Sequence, residues 1–370
     1  MSARLRVAVD GTPLLGARTA IGHLTSRLLE ELAARGDIEV SAYAVTARGR
    51  DMLAGAAPRG VRAATAPWSA KLVRELWQRG SWPRIERWTG PVDVVHATNF
   101  VAPPARAAVV VTVHDVTCVR YPELCTPDAR RYPALVRAAV RRGAHVHVVS
   151  DTVGREVQEL LGVPAEQVTR VYFGLAASGD ADPAAGRRRA GADRYVLALG
   201  QLEPRKNLPR LVAAFDRVAE HDRELRLVLA GPDGWDRAGV DAARRAARHG
   251  DRTSWLGYVT DAERRDLLAG AAVLAYPSLY EGFGHPPLEA MLAGTPVVAA
   301  RAGALPEALG DAAVLVDPLD ADAIGHGLAT VLGDDDLRAT LVERGRHQAA
   351  RYTWPDAITQ LVELYHRVAA

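Results

Sequence analysis

The sequence has little cysteine, almost no lysine, a near-zero net charge and no long apolar run. Its two cysteines, Cys118 and Cys125, supply neither a disulfide framework nor the spacing of a metal site. A reducing, cytoplasmic compartment is the simpler expectation. No apolar stretch reaches the length of a membrane span. The opening residues, MSARLRVAVDG, enter a strand-like run at once and lack the apolar core of a signal peptide. The 46 basic and 44 acidic residues leave a net charge of +2, so no overall field points to nucleic acid. Lysine occurs at Lys71 and Lys206 alone, and the arginine that replaces it elsewhere is given no functional weight. At 370 residues and 48% hydrophobic content, the chain suits two globular domains.

What is present is alternation. Short β-branched runs at 5–9, 38–45, 92–96, 109–114 and 144–149 are continuously apolar, as strands covered on both faces should be. Helical patterns at 21–34, 129–141 and 152–161 separate several of them, which implies a parallel, doubly wound α/β layer. Periodicity fades at 174–193, a stretch rich in Ala, Gly, Pro and charge that reads as an interdomain linker. A second alternating series follows from residue 195. The expected organisation is a first domain over 1–180, a second over 181–352, and a final helix over 353–370.

Ligands of such sheets collect beyond the carboxyl ends of the strands. The loop LLGARTAIGH, with Gly16 and Gly22, stands between the first strand and the first helix, a geometry that cradles phosphate or simply turns on glycine. His114 and Asp115 end another strand, and Ser150 and Asp151 a third, where a helix N-cap is the plainer reading. His145 and His147 lack a third ligand and read as packed groups. Residues 68–88, from Trp68 to Trp88, hold four of the seven tryptophans, and Leu72, Val73, Leu76 and Trp77 among them fall at helical spacing. That segment covers its own domain or, alternatively, meets a membrane surface or an apolar acceptor.

The chemistry gathers in the second domain. GQLEPRKNLPRL, from Gly200, follows a strand and opens a helix; Arg205 offers a planar fork and Lys206 a compact charge to phosphate oxygens. YPSLYEGFGHPPLEAMLAGTPVV, residues 276–298, joins a strand, a glycine turn and a helix starting near Pro287. Gly282 and Gly284 permit close approach or positive φ, and Pro286 and Pro287 suit a first helical turn. Two anion-binding devices in one domain suit a diphosphate, and Glu281 and Glu289 beside them suit hydroxyl donors.

Glu281, Gly282, Phe283, Gly284 and Glu289, with seven residues between the glutamates, resemble the signature of the family 4 retaining glycosyltransferases of the GT-B fold. GQLEPRKN is similar to that family's donor-diphosphate loop, and VHDVT, VVSDTVGREV, LAGPDG, WLGYV, VLAYPSLYEGFG and GTPVVA follow in matching order. The resemblance implies two Rossmann-like domains facing across a cleft, with the last helix returning to the first domain. It implies that Arg205 and Lys206 bind the donor diphosphate in place of a metal ion, and that Glu289 takes the ribose hydroxyls. Glu281 and His114 would lie by the transferred sugar. Gly22, Gly200, Phe283, Gly284, His285, Pro286 and Leu288 would complete the donor site, with Gly22 and the amides around Phe283 approaching phosphate or sugar. Tyr172, Phe173 and Gly174 replace a common Pro-Asn-Gly turn, a glycine often present near Ala20 is missing, and His285 stands where an apolar residue is frequent.

The implied activity is retaining transfer of a sugar from a nucleotide diphosphate, without metal or other cofactor, to a glycan, lipid-linked or small-molecule hydroxyl. The motif style is similar to the mannosyltransferase branch, which makes GDP-mannose the leading donor and UDP-sugars the next. The implied place is the cytoplasm, including the inner face of the membrane. Three rivals remain: a glycosidase, which has no use for Arg205 and Lys206; a nucleotide-sugar epimerase; and a non-catalytic nucleotide-sugar sensor.

Overall fold

Strands that are apolar on both faces need helices on both faces, and the chain meets that need twice. The structure, a computed structural model, describes residues 4–16, 20–47, 50–175 and 179–370. It divides into one unit of residues 1–174 with 353–370 and a second of residues 175–352.

Among the described residues of the first unit, seven parallel strands form one sheet. They are β1 (Leu5–Asp10), β2 (Ile38–Val45), β3 (Arg62–Ala66), β4 (Val94–Ala97), β5 (Ala108–Val113), β6 (His145–Val148) and β7 (Val168–Arg170), in the order β3-β2-β1-β4-β5-β6-β7. In the second unit β8 (Tyr195–Leu199), β9 (Arg226–Ala230), β10 (Thr253–Trp255), β11 (Val273–Tyr276), β12 (Val297–Ala300) and β13 (Val314–Val316) run in the order β10-β9-β8-β11-β12-β13. Each order reverses once, between β1 and β4 and between β8 and β11. Such a reversal opens a crevice beyond the strand ends.

The central strands are fully buried, with Val7, Ala8, Val9, Val110 and Val111 in one sheet and Tyr195, Val196, Leu197, Leu227 and Leu274 in the other. The helix Leu208–Ala219 lays Leu211, Val212, Phe215 and Val218 on the second sheet, and the helix Ala321–Gly333 adds Ile324, Leu328 and Val331. Burying each such side chain removes roughly 1.5–3 kcal/mol of unfavourable hydration.

The stretch expected to be an irregular linker instead contains the helix Pro183–Ala190. It has no apolar stripe to announce it. Asp182 caps it by accepting from Ala184 N at 2.8 Å, and Gly191 ends it in a left-handed turn. Gly186 lets it lie against the helix Asp261–Gly270 so closely that a β-carbon there would come 1.9 Å from Asp266 O. The edge strands β3 and β7 and the helix Arg50–Ala56 are likewise absent from the sequence reading.

In the first unit the helix Trp354–Ala369 packs on the sheet through Leu361, Leu364 and Tyr365, all fully buried. A chain of hydrogen bonds docks it, and its direction can be deduced. His147 Nε2 lies 2.9 Å from Val171 O, a carbonyl that only accepts, so Nε2 carries the proton. His147 Nδ1 therefore accepts from Thr112 Oγ1 at 2.9 Å, and Thr112 accepts from His96 Nε2 at 2.8 Å. His96 Nδ1 is left to accept from the Tyr365 hydroxyl at 2.6 Å. Burial holds both imidazoles in the neutral form this scheme needs, with His147 lowered to about 4 and His96 well below its ordinary value.

The helix Ala70–Arg79 buries Val73 and Trp77 against Val45 and Ala66. Trp77 Nε1 donates to Pro83 O at 2.9 Å, and Trp68 meets Trp82 and Trp88 edge to face at 5.6 and 6.1 Å. The tryptophan-rich segment thus covers its own unit, leaving Leu72 and Trp82 53% and 59% exposed. Among the described residues, no helix is long and apolar enough to cross a membrane.

Candidate functional site

The loops after β8 and β11, neighbours at the reversal of the second sheet, carry the residues that the sequence singles out. After β8 the chain turns through Gly200, whose φ of 143° favours glycine and whose β-carbon would press on Lys206 Cε at 3.1 Å. A short 3-10 turn, Pro204–Lys206, then presents Arg205 and Lys206. Asn207 ends that turn at φ 59°, a conformation asparagine tolerates better than other side-chain-bearing residues. Its Nδ2 donates to Pro277 O at 3.0 Å and Pro318 O at 2.7 Å, and Leu279 N donates to Arg205 O at 2.8 Å. The two loops are thereby one body.

Glu281 lies at the centre. Its carboxylate is 2.7 Å from Arg205 Nη1 and 2.7 Å from Lys206 Nζ, with the Glu281 side chain only 10% exposed. Burial alone would push this carboxyl up, but the two cations hold it down at about 2. Arg205 also donates to Tyr280 O at 2.9 Å and has Glu203 at 3.6 Å. Lys206 donates to the Tyr276 hydroxyl at 2.6 Å and lies over that ring, 4.6 Å from its centroid. Burial lowers the Lys206 ammonium while Glu281 opposes the shift. The result is two cations held side by side at a strand end, fixed before any anion arrives.

The turn that follows is equally constrained. Gly284 stands at φ 108°, and Gly303, at φ 54°, passes so near that its β-carbon would be 2.3 Å from Glu281 O. Phe283 is buried against Tyr352 at 5.1 Å and touches His285 at 5.2 Å. The helix His285–Leu292 begins two residues earlier than expected. Pro286 and Pro287 carry no N–H, so they reduce the anion-binding capacity anticipated for this helix start and leave it to the turn amides and the dipole. Leu288 is fully buried and serves the core. Glu289 faces the helix Asp261–Gly270, where Arg264 Nη2 donates to Oε1 at 3.0 Å and Nη1 lies 2.9 Å from Oε2, which accepts no hydrogen bond. Burial raises the Glu289 carboxyl and Arg264 opposes it.

In the first unit His114 Nε2 donates to Thr98 O at 2.8 Å, leaving Nδ1 as the acceptor. Burial lowers its pKa. Phe100, at φ 57°, meets His114 edge to face at 6.1 Å and stacks on Tyr132 at 4.9 Å. Gly22 lies in the first turn of the helix Ala20–Ala33; residues 17–19 of its loop are outside the described residues. Ser150 is the N-cap of Asp151–Leu161, accepting from Val153 N at 3.1 Å. Among the described residues, no three His, Cys, Asp or Glu side chains are grouped to hold a metal ion.

Sequence reasoning missed Asn207, Tyr276 and Arg264, whose partners are 70, 70 and 25 residues away. It also missed Asp10, buried at the end of β1, where burial lifts its carboxyl to about 6. A charged residue closing an apolar strand was the available signal for Asp10; the others carried none.

Residues 21–177 match the family model described as Glycosyltransferase Family 4, and residues 185–348 match the one described as Glycosyl transferases group 1. The chain is 33% identical over 285 residues to O-antigen chain mannosyltransferase B of Escherichia coli, covering 74% of each chain. It is 30% identical over 329 residues to the phosphatidyl-myo-inositol mannosyltransferase of Mycolicibacterium smegmatis, covering 84% of this chain and 81% of that one. Among solved structures, sucrose-phosphate synthase from Thermosynechococcus elongatus superposes with a TM-score of 0.77 at 20% identity, over 99% of both chains.

Proposed function

The chain belongs to family 4 of the glycosyltransferases, on the GT-B fold, and on that premise we propose that it transfers mannose from GDP-mannose to an acceptor hydroxyl with retention at the anomeric carbon. The observation that carries this reading is the pair of buried cations, Arg205 and Lys206, bridged by Glu281 at the reversal of the second sheet.

The acceptor oxygen bonds to the anomeric carbon on the face from which the diphosphate departs. The bond between that carbon and the phosphate oxygen breaks, and the departing phosphate oxygen takes the hydroxyl proton. Arg205 and Lys206 receive the charge that grows on the diphosphate, which is the work of a metal ion in other transferases. Their fixed geometry needs no reorganisation at that moment. Each charge-assisted contact contributes about 1.5–3 kcal/mol. Glu281 keeps the two cations adjacent and offers its remaining lone pairs to the sugar. Glu289 accepts from the ribose hydroxyls, and the turn at 282–285, with Gly200, lines the donor. Gly22 and His114 are the contributions proposed for the first unit, to the diphosphate and the sugar.

The mannose assignment draws support from two relatives named as mannosyltransferases. Those names point to an O-antigen chain and to phosphatidyl-myo-inositol, so a glycan or lipid-linked acceptor is the first to try. The exposed Leu72 and Trp82 suit an apolar acceptor or weak membrane contact, which vesicle sedimentation tests.

The discriminating experiment is thermal unfolding with GDP, UDP, ADP and dTDP, followed by donor consumption with and without acceptor. GDP at about 100 times its Kd should stabilise by about 2.7 kcal/mol, and GDP-mannose should be consumed. Unchanged turnover after loss of both Arg205 and Lys206 would refute the assignment. Epimerised donor without acceptor would indicate the epimerase instead.

A further inference from the structure

The contact between Arg264 and Glu289 is built from several independent features. The helix Asp261–Gly270 starts at a fixed point, because Thr260 Oγ1 accepts from Glu263 N at 3.3 Å and Glu263 accepts from Thr260 N at 2.8 Å. Arg264 is one residue further on, so this cap sets the height at which its guanidinium leaves the helix. Glu289 stands on a different helix, His285–Leu292, packed alongside. Arg264 Nη2 donates to Glu289 Oε1 at 3.0 Å and Nη1 lies 2.9 Å from Oε2. The carboxylate side chain is 15% exposed and the guanidinium 30%. Oε2 is buried and accepts no hydrogen bond, so one charge-assisted hydrogen bond and one close charge together locate the carboxylate.

We propose that Arg264 is the positioning residue of the ribose contact: its hydrogen bond to Oε1, with Nη1 close to Oε2, holds the Glu289 carboxylate in place, so that the lone pairs left unused meet the two ribose hydroxyls of the donor. The inference rests on the reading that Glu289 takes the ribose.

The surrounding charges show how much depends on this one partner. Burial alone raises the Glu289 carboxyl, and Arg264 is the cation that opposes it. Asp261, on the same helix as Arg264, adds to the rise. From β11 the facing titratable group is Tyr276, itself raised by burial and, in small part, by Glu289. The helix Leu305–Leu309 carries Glu307, and Arg346 of the helix Asp335–Ala349 lies against Gly294, beyond the end of Glu289's helix. Without Arg264 the carboxyl would take up a proton at a higher pH. It would then offer fewer acceptor sites to the two hydroxyls.

The test measures dissociation constants of GDP and 2′-deoxy-GDP between pH 5.5 and 8.5 for the wild-type protein, Arg264→Leu, Arg264→Lys, Glu289→Gln and the double variant Arg264→Leu/Glu289→Gln. The wild type should prefer GDP over the deoxynucleotide by about tenfold, the value of one hydrogen bond to a charged group, and this ratio, in which the titration of the terminal phosphate cancels, should change less with pH than that of Arg264→Leu. Arg264→Leu should lose most of that preference, and the ratio should fall further as the pH is lowered. The double variant should show no such pH dependence. Arg264→Lys, a compact cation without the guanidinium's planar geometry, should keep the wild-type pH dependence of the ratio and part of the preference, and it serves as the test if Arg264→Leu does not fold.

A wild type that binds GDP and its deoxy form equally, with Glu289→Gln no weaker, overturns the ribose reading and the inference with it. A wild type that discriminates through Glu289, beside an Arg264→Leu or Arg264→Lys variant identical to it in preference and pH profile, overturns the inference alone.

Discussion

Removing the Glu281 carboxylate would leave Arg205 and Lys206 side by side in a buried loop pair, with Glu203, 3.6 Å from Arg205, to share between them. Taking one partner from a buried ionic cluster costs about 3–5 kcal/mol because the other charges lose their compensation. Glu281→Gln is therefore expected to lower stability in urea by about that much, as well as turnover. A variant that is as stable as the wild type would show that the cations are hydrated, not held. Glu289→Gln should instead weaken donor binding first. At this scale the sequence displayed the chemistry but not its wiring. Arg205, Lys206, Glu281 and Glu289 announce themselves by charge beside glycine and proline. Tyr276, Asn207 and Arg264 look like ordinary residues until the fold brings β8, β11 and two helices together.

Among the elements, the helix Pro183–Ala190 sets propensity against packing at a single glycine. Gly186→Ala should help the isolated helix by about 1 kcal/mol. The added methyl group, however, would sit 1.9 Å from the carbonyl oxygen of Asp266, and forcing two backbones apart costs about 1–3 kcal/mol. Sterics should win, so the variant should melt at a lower temperature than the wild type; a higher Tm would mean that the helices separate freely. The same helix shows why elements were legible unevenly. The central strands declare themselves as continuous apolar runs because both faces are covered. A helix held by an Asp182 cap, a Gly191 stop and close glycine packing has no stripe to read. The edge strand β3, RAATA, is short and half apolar, and β7 has three residues.

For the whole molecule, acid should act on several buried groups, two of which, His147 and Asp10, oppose one another. His147 has a folded pKa of about 4 against 6.5 unfolded, so its contribution is complete above pH 6.5 and is lost as the pH falls through 4. The loss amounts to about 3 kcal/mol. Asp10, raised to about 6 from 3.8, works in reverse: its contribution is present at low pH and is lost as the pH rises through 6. Comparing the wild type with His147→Gln isolates the first effect. Denaturant unfolding from pH 7.5 to 4.5 should fall more steeply for the wild type than for the variant, and parallel curves would count against the buried neutral imidazole. The repetition of a helix-covered parallel sheet in two units was legible in the sequence from the alternation of runs and helices. The division between the units was less so: it falls at Gly174, since Leu175 N donates to Tyr352 O at 3.0 Å, a pairing across the length of the second unit.

The helix Trp354–Ala369 completes the first unit although the second unit precedes it in the chain. A ribosome therefore delivers every strand of the first sheet, and then the whole of the second unit, before Tyr365 exists to donate its hydrogen bond to His96. Until that residue emerges, the sheet holds His96 with an unanswered acceptor beneath an uncovered apolar face. The first unit to be made is thus the last that can be finished. The order of synthesis and the order of folding run in opposite directions.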